Sequence, residues 1–88
     1  MKEYEIVAVL WQDHQQIVRD ILPKNPDSIV ENCTLSVGII LEETKKCILL
    51  VSDIERTQDK DDATYLIILK STIESIKKYG KIKLKVHR

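Results

Sequence analysis

Four segments of the chain carry the alternating or continuous apolar patterns that are typical of β-strands. These segments are Tyr4–Trp11, Leu35–Glu42, Cys47–Asp53 and Thr64–Lys70. Both faces of the first segment are apolar, which predicts a central strand that is covered on both sides. In the second segment Gly38 stands at mid-strand, where a glycine usually marks a bulge or a sharp bend.

The same alternation predicts a single core formed by one face of each strand. We expect this core to contain Ile6, Ala8, Leu10, Val37, Ile39, Leu49, Val51, Leu66, Ile68 and Ile76. Residues 43–46 have a length that suits a tight hairpin between the second and third strands. Residues 54–63 are charged and show no periodicity, which predicts a mobile surface loop.

Two further patterns lie outside these strands. Residues 13–22 predict a short helix, because Asp13 is a suitable cap and the apolar residues that follow fall on one helical face before Pro23. Asn25-Pro26-Asp27 is a second helix-start signal. Near the C-terminus, residues 71–76 predict a tight turn that leads into a short strand. Gly80 predicts a break, after which residues 81–86 alternate lysine with apolar residues, so we expect a basic strand or tail over residues 80–88.

The composition fits one small domain over residues 1–88. Hydrophobic residues make up 43% of the chain, whereas glycine and proline contribute only two residues each, which excludes disordered and collagen-like classes. The longest apolar runs are roughly five residues, far short of the ~20 that span a bilayer. Residues 1–5 are acidic where a signal peptide is basic. We therefore expect a cytoplasmic protein with no membrane partner.

Few residues are available for metal or catalytic chemistry. The soft metal ligands are His14, His87, Cys33 and Cys47, and no two of them have the close spacing of a zinc site. The carboxylates of Asp59, Asp61 and Asp62 offer oxygen ligands, but the segment lacks the glycine and the closing glutamate of a calcium loop. A nucleophile and base could come only from Ser52-Asp53 and His14, which nothing brings together, and two glycines cannot form a phosphate loop. We expect no enzyme activity, no metal and no cofactor.

Charge is segregated along the chain although the formal net charge is zero. Residues 77–88 hold six basic residues and no acid, so residues 1–76 hold 8 basic and 14 acidic residues, a difference of −6. Three interpretations are open: lysines that protect a sheet edge from aggregation, a basic strand that meets the acidic body of another subunit, and a phosphate-binding surface. The near-neutral pI and the scarcity of aromatic residues make RNA the weaker candidate.

The order of motifs resembles a group of small uncharacterised proteins of bacteriophages and prophages. The resemblance covers residues 7–79 and rests on Trp11-Gln12-Asp13 (a W-x-D strand end), residues 34–43 (a T-V-G-[YIF]-[LI] strand) and residues 65–76 (an I-P-K-x-x-I-x-x-I close). Leu69 stands where that pattern has a proline. The group carries no known site residues to transfer.

This pattern is also similar to Sm-like and Src-homology-3-like small β-barrels. In such barrels a bent second strand is shared by two half-sheets, and a tight turn precedes the last strand. The resemblance thus implies a mainly β fold of about five strands with a short helix after strand one. Gly38 would supply the bend and Lys70–Ile73 the turn. The alternative is an α+β sheet with the helix of residues 13–22 on one face.

We therefore expect a non-catalytic, homo-oligomeric binding module of phage or prophage type. The phage setting implied by the resemblance suggests counter-defence, by capture of a host protein or of a small anionic, nucleotide-like signalling ligand. The alternative is an Sm-like RNA-binding protein. Candidate ligand contacts are Lys77, Lys78, Lys81 and Arg19 for phosphate, and Trp11 and Tyr65 for stacking. Whether Cys33 and Cys47 form a disulfide stays open.

Overall fold

A computed structural model describes residues 1–12, 33–58 and 60–88 of the protein. The predicted helix over residues 13–22, the helix-start signal at Asn25, and the candidates Arg19 and His14 lie outside the described residues. The described part contains five β-strands and a 3₁₀ turn at Lys70–Thr72. The strands are β1 (Lys2–Gln12), β2 (Cys33–Glu43), β3 (Cys47–Arg56), β4 (Asp61–Leu69) and β5 (Ile73–Leu84).

The five strands form one antiparallel sheet in the order β4-β3-β2-β1-β5. The mainly β prediction is confirmed, and so are the hairpin between β2 and β3 and the turn before the last strand. Thr44 closes the hairpin: its backbone N–H donates to the Cys47 carbonyl at 2.9 Å, and its hydroxyl accepts from the Cys47 N–H at 3.1 Å.

Strand β2 changes partners along its length. Residues 33–39 pair with β1, residues 39–43 pair with β3, and only Ile39 pairs with both, opposite Ile6 and Val51. The change occurs beside Gly38, where a Cβ would meet the Val51 carbonyl group. Gly38 permits this close approach of two backbones because it has no side chain. The register shift of β2 lies further along, between Ile40 and Glu42, and the pairing with β1 is regular at Gly38.

The predicted loop over residues 54–63 is mostly wrong. Strand β3 continues to Arg56 and β4 begins at Asp61, so the described connection consists of residues 57, 58 and 60. The strands continue because Glu55 and Arg56 pair in register with Asp62 and Asp61. Charged side chains are compatible with a strand that is solvated on one side.

Gly80 does not interrupt the last strand, so the predicted break is wrong. Residues 73–84 form one continuous strand along β1. Gly80 has a φ of 149° and lies opposite Ile6, beside a register shift between Ile6 and Val7. The glycine therefore supports an irregularity within the strand rather than a chain break.

The core lies mainly on the sheet face opposite to the predicted one. Its fully buried members are Val7, Val9, Ile48, Leu50 and Ile68, with Trp11, Ile40 and Ile73 packed against them. Of the predicted core residues, only Ala8, Val51 and Ile68 are buried, whereas Val37, Leu66 and Ile76 are exposed. The prediction failed because both faces of β1, β3 and β4 are apolar, so alternation alone could not identify the inner one.

We call the side of the sheet that carries Ala8, Val37, Ile39, Val51 and Tyr65 the second face. Register places these side chains on neighbouring strands, and Val51 and Ala8 at its centre are buried. Its flanks are open to solvent. The exposed fractions there are 65% for Leu35, 55% for Val37, 58% for Tyr65, 63% for Ile67 and 54% for Leu69.

Candidate binding groove

A cavity of about 600 Å³ lies on the second face of the sheet, over β3 and β4. Its apolar lining comprises Leu41, Leu49, Val51, Ile54, Ala63, Tyr65, Ile67 and Val86. Charged residues at its margin include Glu42, Asp61, Asp62 and Arg88. We call this the apolar cavity; it offers an apolar floor with one tyrosine ring and a charged rim.

A second cavity of about 560 Å³ occupies the gap where β1 and β2 separate. The gap exists because residues 2–5 of β1 pair only with β5, while residues 40–43 of β2 pair only with β3. The lining is rich in charge, with Lys2, Glu3, Glu5, Glu42, Glu43, Lys78 and Arg88. We call this the charged cavity.

The two cavities share a wall formed by Leu41, Glu42 and Arg88. An Arg88 Nη2 atom lies 3.2 Å from Glu42 Oε2, and both side chains are more than half exposed. An exposed ion pair of this kind contributes roughly 0–1 kcal/mol. A ligand can therefore replace it at low cost and reach from one cavity into the other.

The C-terminal tail, residues 85–88, forms one side of the apolar cavity. Arg56 Nη2 donates to the Lys85 carbonyl at 2.7 Å, and the Asp61 N–H donates to the His87 carbonyl at 3.0 Å. The His87 N–H donates in turn to Asp61 Oδ2 at 3.0 Å. These bonds hold Val86 beside the cavity floor.

Asp61 is the most deeply buried charged side chain among these contacts, with 2% of its surface exposed. Its Oδ1 atom lies 3.5 Å from Arg56 Nε but has no hydrogen bond among the described residues. Removing a carboxylate from water costs several kcal/mol unless it is paired. The tail N–H and the Arg56 guanidinium together supply that compensation.

The structure distributes the predicted site residues over several surfaces. Lys78 lines the charged cavity, where its Nζ lies 3.2 Å from Glu5 Oε2. Tyr65 lines the apolar cavity and is exposed. Lys77 is on the second face, and its Nζ stands 5.2 Å from the centre of the Tyr79 ring.

Trp11 and Lys81 occupy other positions. The Trp11 ring packs against the core and its Nε1 donates to Ser36 Oγ at 3.0 Å, so its indole is engaged within the fold. Lys81 pairs in register with Glu5, outside both cavities. The apolar cavity and the charged cavity together form the candidate binding groove. Of the described candidates, only Lys78 and Tyr65 border it: Lys78 lines the charged cavity and Tyr65 lines the apolar cavity.

Two lysines of β5 pair in register with carboxylates of β1. Glu3 pairs with Lys83 and Glu5 with Lys81, and Lys83 Nζ lies 4.0 Å from Glu3 Oε1. Cross-strand pairs of opposite charge stabilise a sheet modestly. The six positive charges of residues 77–88 are thus partly offset within the fold.

Arg88, Glu42 and Tyr4 are groove residues that sequence reasoning missed. Arg88 is 46 residues from Glu42 in the chain, and no local pattern connects them. Only the pairing of β1 with β5 brings the tail to the end of β2. The basic stretch of residues 77–88 pointed to Arg88 in the sequence. No sequence pattern pointed to Glu42, the acidic residue with which Arg88 pairs.

Among the described residues, two groups have shifted pKa values. A hydrogen bond and the charge of Lys70, whose Nζ lies 2.7 Å from Glu43 Oε2, hold the pKa of the Glu43 carboxyl below its ordinary value. Desolvation, followed by the charge and hydrogen bond of Glu74, raises the pKa of the Cys33 thiol. Cys33 and Cys47 are both free thiols, and a raised pKa makes Cys33 a poorer nucleophile.

In the part of the chain that the structure describes, no three His, Cys, Asp or Glu side chains form a group suited to a metal ion. None of the helical structure in residues 1–12, 33–58 and 60–88 has the length and apolar character needed to cross a bilayer. Comparisons of the chain with protein-family models, curated proteins and solved structures found no match.

Proposed function

We propose that the protein is a non-catalytic, oligomeric binding module of phage or prophage type that captures a small nucleotide-like ligand. The observation that carries this proposal is the junction of an apolar cavity containing an exposed tyrosine with a charged cavity containing three cations. A nucleotide has the same two-part character, since a flat base is joined to an anionic phosphate. In a phage setting such capture would serve counter-defence.

The base would stack on Tyr65, because a base on an aromatic side chain contributes about 1–3 kcal/mol. The phosphate would approach Arg88 and Lys78 by displacing the carboxylates of Glu42 and Glu5 that now hold them. Charge-assisted bonds from Arg88 are well suited to a phosphate. The acidic residues of the charged cavity oppose a highly charged anion, which favours a ligand with few phosphates.

We also propose that the sheet closes into a small β-barrel. A small Sm-like or Src-homology-3-like barrel is supported by the partner change of β2 at Gly38 and by the turn at Lys70–Thr72. Contacts between the tail and Asp61 support it as well, since they link the chain after β5 to the start of β4 at the opposite edge of the sheet.

Self-association is supported by the exposed flanks of the second face. Monomeric soluble proteins rarely expose large contiguous apolar patches, and such patches usually mark interaction sites. The described part of this chain exposes Leu35 and Val37 on β2 and Tyr65, Ile67 and Leu69 on β4. Among the same residues the fully buried core contains only five large side chains, so burial of these flanks would add substantially to stability.

Ligand capture can be tested by thermal unfolding in the presence of a panel of mono-, cyclic and dinucleotides. A ligand at about 100 times its Kd stabilises the protein by about 2.7 kcal/mol, which raises the Tm of a domain this small by about 10 °C or more. The shift should disappear in Tyr65→Ala and in Lys78→Gln. It should persist in Lys45→Gln, which changes a turn lysine outside both cavities.

The outcome contradicts nucleotide capture if no nucleotide raises the Tm, or if Lys45→Gln weakens the effect as much as Lys78→Gln. RNA binding would appear in a gel-shift series as complexes that weaken steeply with salt, because several phosphate contacts release counterions. Capture of a host protein would appear as a stoichiometric complex that Tyr65→Ala disrupts while nucleotides have no effect.

A further inference from the structure

We propose that two copies of the chain pair through β4 in an antiparallel, two-fold arrangement in which Leu66 faces Leu66 of the other copy and Asp62 faces Lys70. This inference rests on the self-association in the proposed function and specifies its surface and register. The partner is a second copy of this chain.

Strand β4 is an edge strand without the features that normally protect an edge. Among residues 1–12, 33–58 and 60–88 it pairs only with β3 and ends the strand order of the sheet. Residues 63–69 contain no charge, no proline and no glycine, and the register shift between β3 and β4 falls on β3, between Val51 and Asp53. An exposed, uncharged, apolar edge is a template for pairing with another chain. The opposite edge, β5, carries lysines that discourage such pairing.

The hydrogen bonds at the two ends of β4 show which backbone groups point outward. The Asp61 N–H points away from β3, since it donates to the His87 carbonyl of the tail. The Thr64 carbonyl points toward β3, where it accepts from Ser52 Oγ at 3.3 Å, and the Lys70 N–H donates to Lys46 at the start of β3. Because strand residues alternate, Ala63, Tyr65, Ile67 and Leu69 direct their N–H and C=O groups outward.

Only one register uses all four of these residues. An antiparallel pairing centred on Leu66 places Ala63 opposite Leu69 and Tyr65 opposite Ile67 of the second copy, and each pair exchanges two hydrogen bonds. A pairing centred on Tyr65 would require Asp61, whose N–H is already bonded to the tail. A pairing centred on Ile67 would leave Ala63 opposite Ser71, beyond the end of the strand.

The same register is favoured by charge. Within one copy Asp62 pairs in register with Glu55, and like charges directly opposite each other are unfavourable. No ion pair among the described residues includes Asp62. Centring on Leu66 brings Lys70 of each copy, the residue that directly follows β4, opposite Asp62 of the other. The Lys70 ammonium, which pairs with Glu43 within its own copy, would then lie between two carboxylates, with one such contact at each end of the paired strands. The exposed Tyr65 and Ile67 side chains also become cross-strand neighbours.

The first experiment is disulfide trapping in a Cys33→Ser, Cys47→Ser background. Leu66→Cys should form a covalent dimer on mild oxidation, because facing residues that do not exchange hydrogen bonds have Cα atoms about 4.5 Å apart, within the range of a disulfide. Thr64→Cys is the matched control on the same strand and side. It should run as a monomer on a non-reducing gel, since its counterpart lies four residues away in this register.

The second experiment tests the charges by sedimentation equilibrium. Both substitutions are made in a Glu43→Gln background, because Lys70 also pairs with Glu43 within one copy. There Asp62→Lys and Lys70→Asp should each weaken dimerisation about tenfold or more, because each creates two like-charge contacts. An equimolar mixture of the two variants should recover the affinity of the original chain, since the heterodimer restores opposite charges at both positions. Far-ultraviolet dichroism of each variant verifies that the fold is retained.

The results separate this inference from the proposed function. A stable oligomer in which Leu66→Cys does not cross-link, or in which the mixture shows no recovery, leaves self-association standing and overturns the β4 pairing. A ring joined through β4 and β5 would appear as an assembly larger than a dimer that Lys81→Glu weakens, and it too overturns the two-fold pairing. A monomer at all concentrations up to the millimolar range overturns both.

Discussion

The carbonyl oxygen of Val51 stands in the space that a side chain at Gly38 would occupy. Val51 is itself paired with Ile39, the single residue of β2 that has partners on both sides. The contact therefore fixes the point at which β2 leaves β1 and joins β3. The charged cavity depends on this change, because it opens the gap between β1 and the last residues of β2.

Gly38→Ala should destabilise the protein by about 1–3 kcal/mol, as expected when atoms are forced into a closely packed site. The obstacle is backbone, which cannot rotate away as a side chain would. Val37→Ala is the matched control, since Val37 is 55% exposed, and it should change stability by about 0.5 kcal/mol or less. Urea unfolding of both variants gives the comparison; equal effects would mean that the approach at Gly38 is unimportant.

Leu50→Ala and Leu49→Ala test which sheet face holds the core. Leu50 is 2% exposed and belongs to the buried cluster, so its truncation should lower the free energy of unfolding by about 2–5 kcal/mol. Leu49 is only half-buried on the second face, and its truncation should cost distinctly less. The reverse order, measured by chemical unfolding below the dimerisation range, would place the core on the face that alternation predicts.

The Glu43–Lys70 pair should make stability depend on pH in the acid range. Since the pKa of Glu43 is lower in the folded chain than in the unfolded one, the ionised carboxylate stabilises the fold above its unfolded pKa, and this contribution is lost as the pH falls through the folded pKa. Both side chains are partly exposed, so the contribution is below about 1 kcal/mol.

This effect can be isolated with Glu43→Gln. The variant should be less stable than the original chain near neutral pH, and the difference should vanish in acid. In a Lys70→Met background the same substitution should have no such pH dependence. A difference that persists unchanged into acid would show that the ion pair is not its cause.

Asp61→Ala should cost about 1–3 kcal/mol, because it removes the acceptor of the His87 N–H and the carboxylate that lies beside Arg56 Nε. Asp53→Ala removes an exposed carboxylate from the same pair of strands and should be nearly neutral. Limited proteolysis measures whether the tail is released: Asp61→Ala should make residues 85–88 more susceptible to cleavage, and Asp53→Ala should not. A silent Asp61→Ala would mean that the tail is held by other contacts.

The strands were largely predictable from the sequence, but the inner face was not. In β2 the more apolar face, with Leu35 and Val37, lies outward, while the inward face contains Ser36 and Gly38. Ser36 fits on the inward face because its hydroxyl accepts a hydrogen bond from the Trp11 indole N–H. Gly38 fits there because the backbone of Val51 approaches so closely that no side chain has room. Hydrophobic periodicity records neither requirement, so it favoured the wrong side.

The candidate groove was predictable only in part. Lys78 and Tyr65 were named from charge and residue type, and each borders one cavity. The junction of the two cavities could not be predicted from the sequence, because the Arg88–Glu42 contact joins segments that are 46 residues apart. Long-range strand pairing creates that neighbourhood, and no local signal specifies it.

The pairing of β1 with β5 has a consequence for how the chain acquires its structure. Residues 2–5 find partners only in residues 81–84, at almost the greatest separation this sequence permits. During synthesis residues 2–5 therefore remain unpaired, although the β2–β3 and β3–β4 hairpins can already form. Contacts between residues so far apart in the sequence slow folding, because the chain loses entropy in closing the loop before these contacts contribute any stability. The outer edge of β1 therefore stays unpaired until β5 has been made, and in that interval the chain is most vulnerable to misassembly with its neighbours.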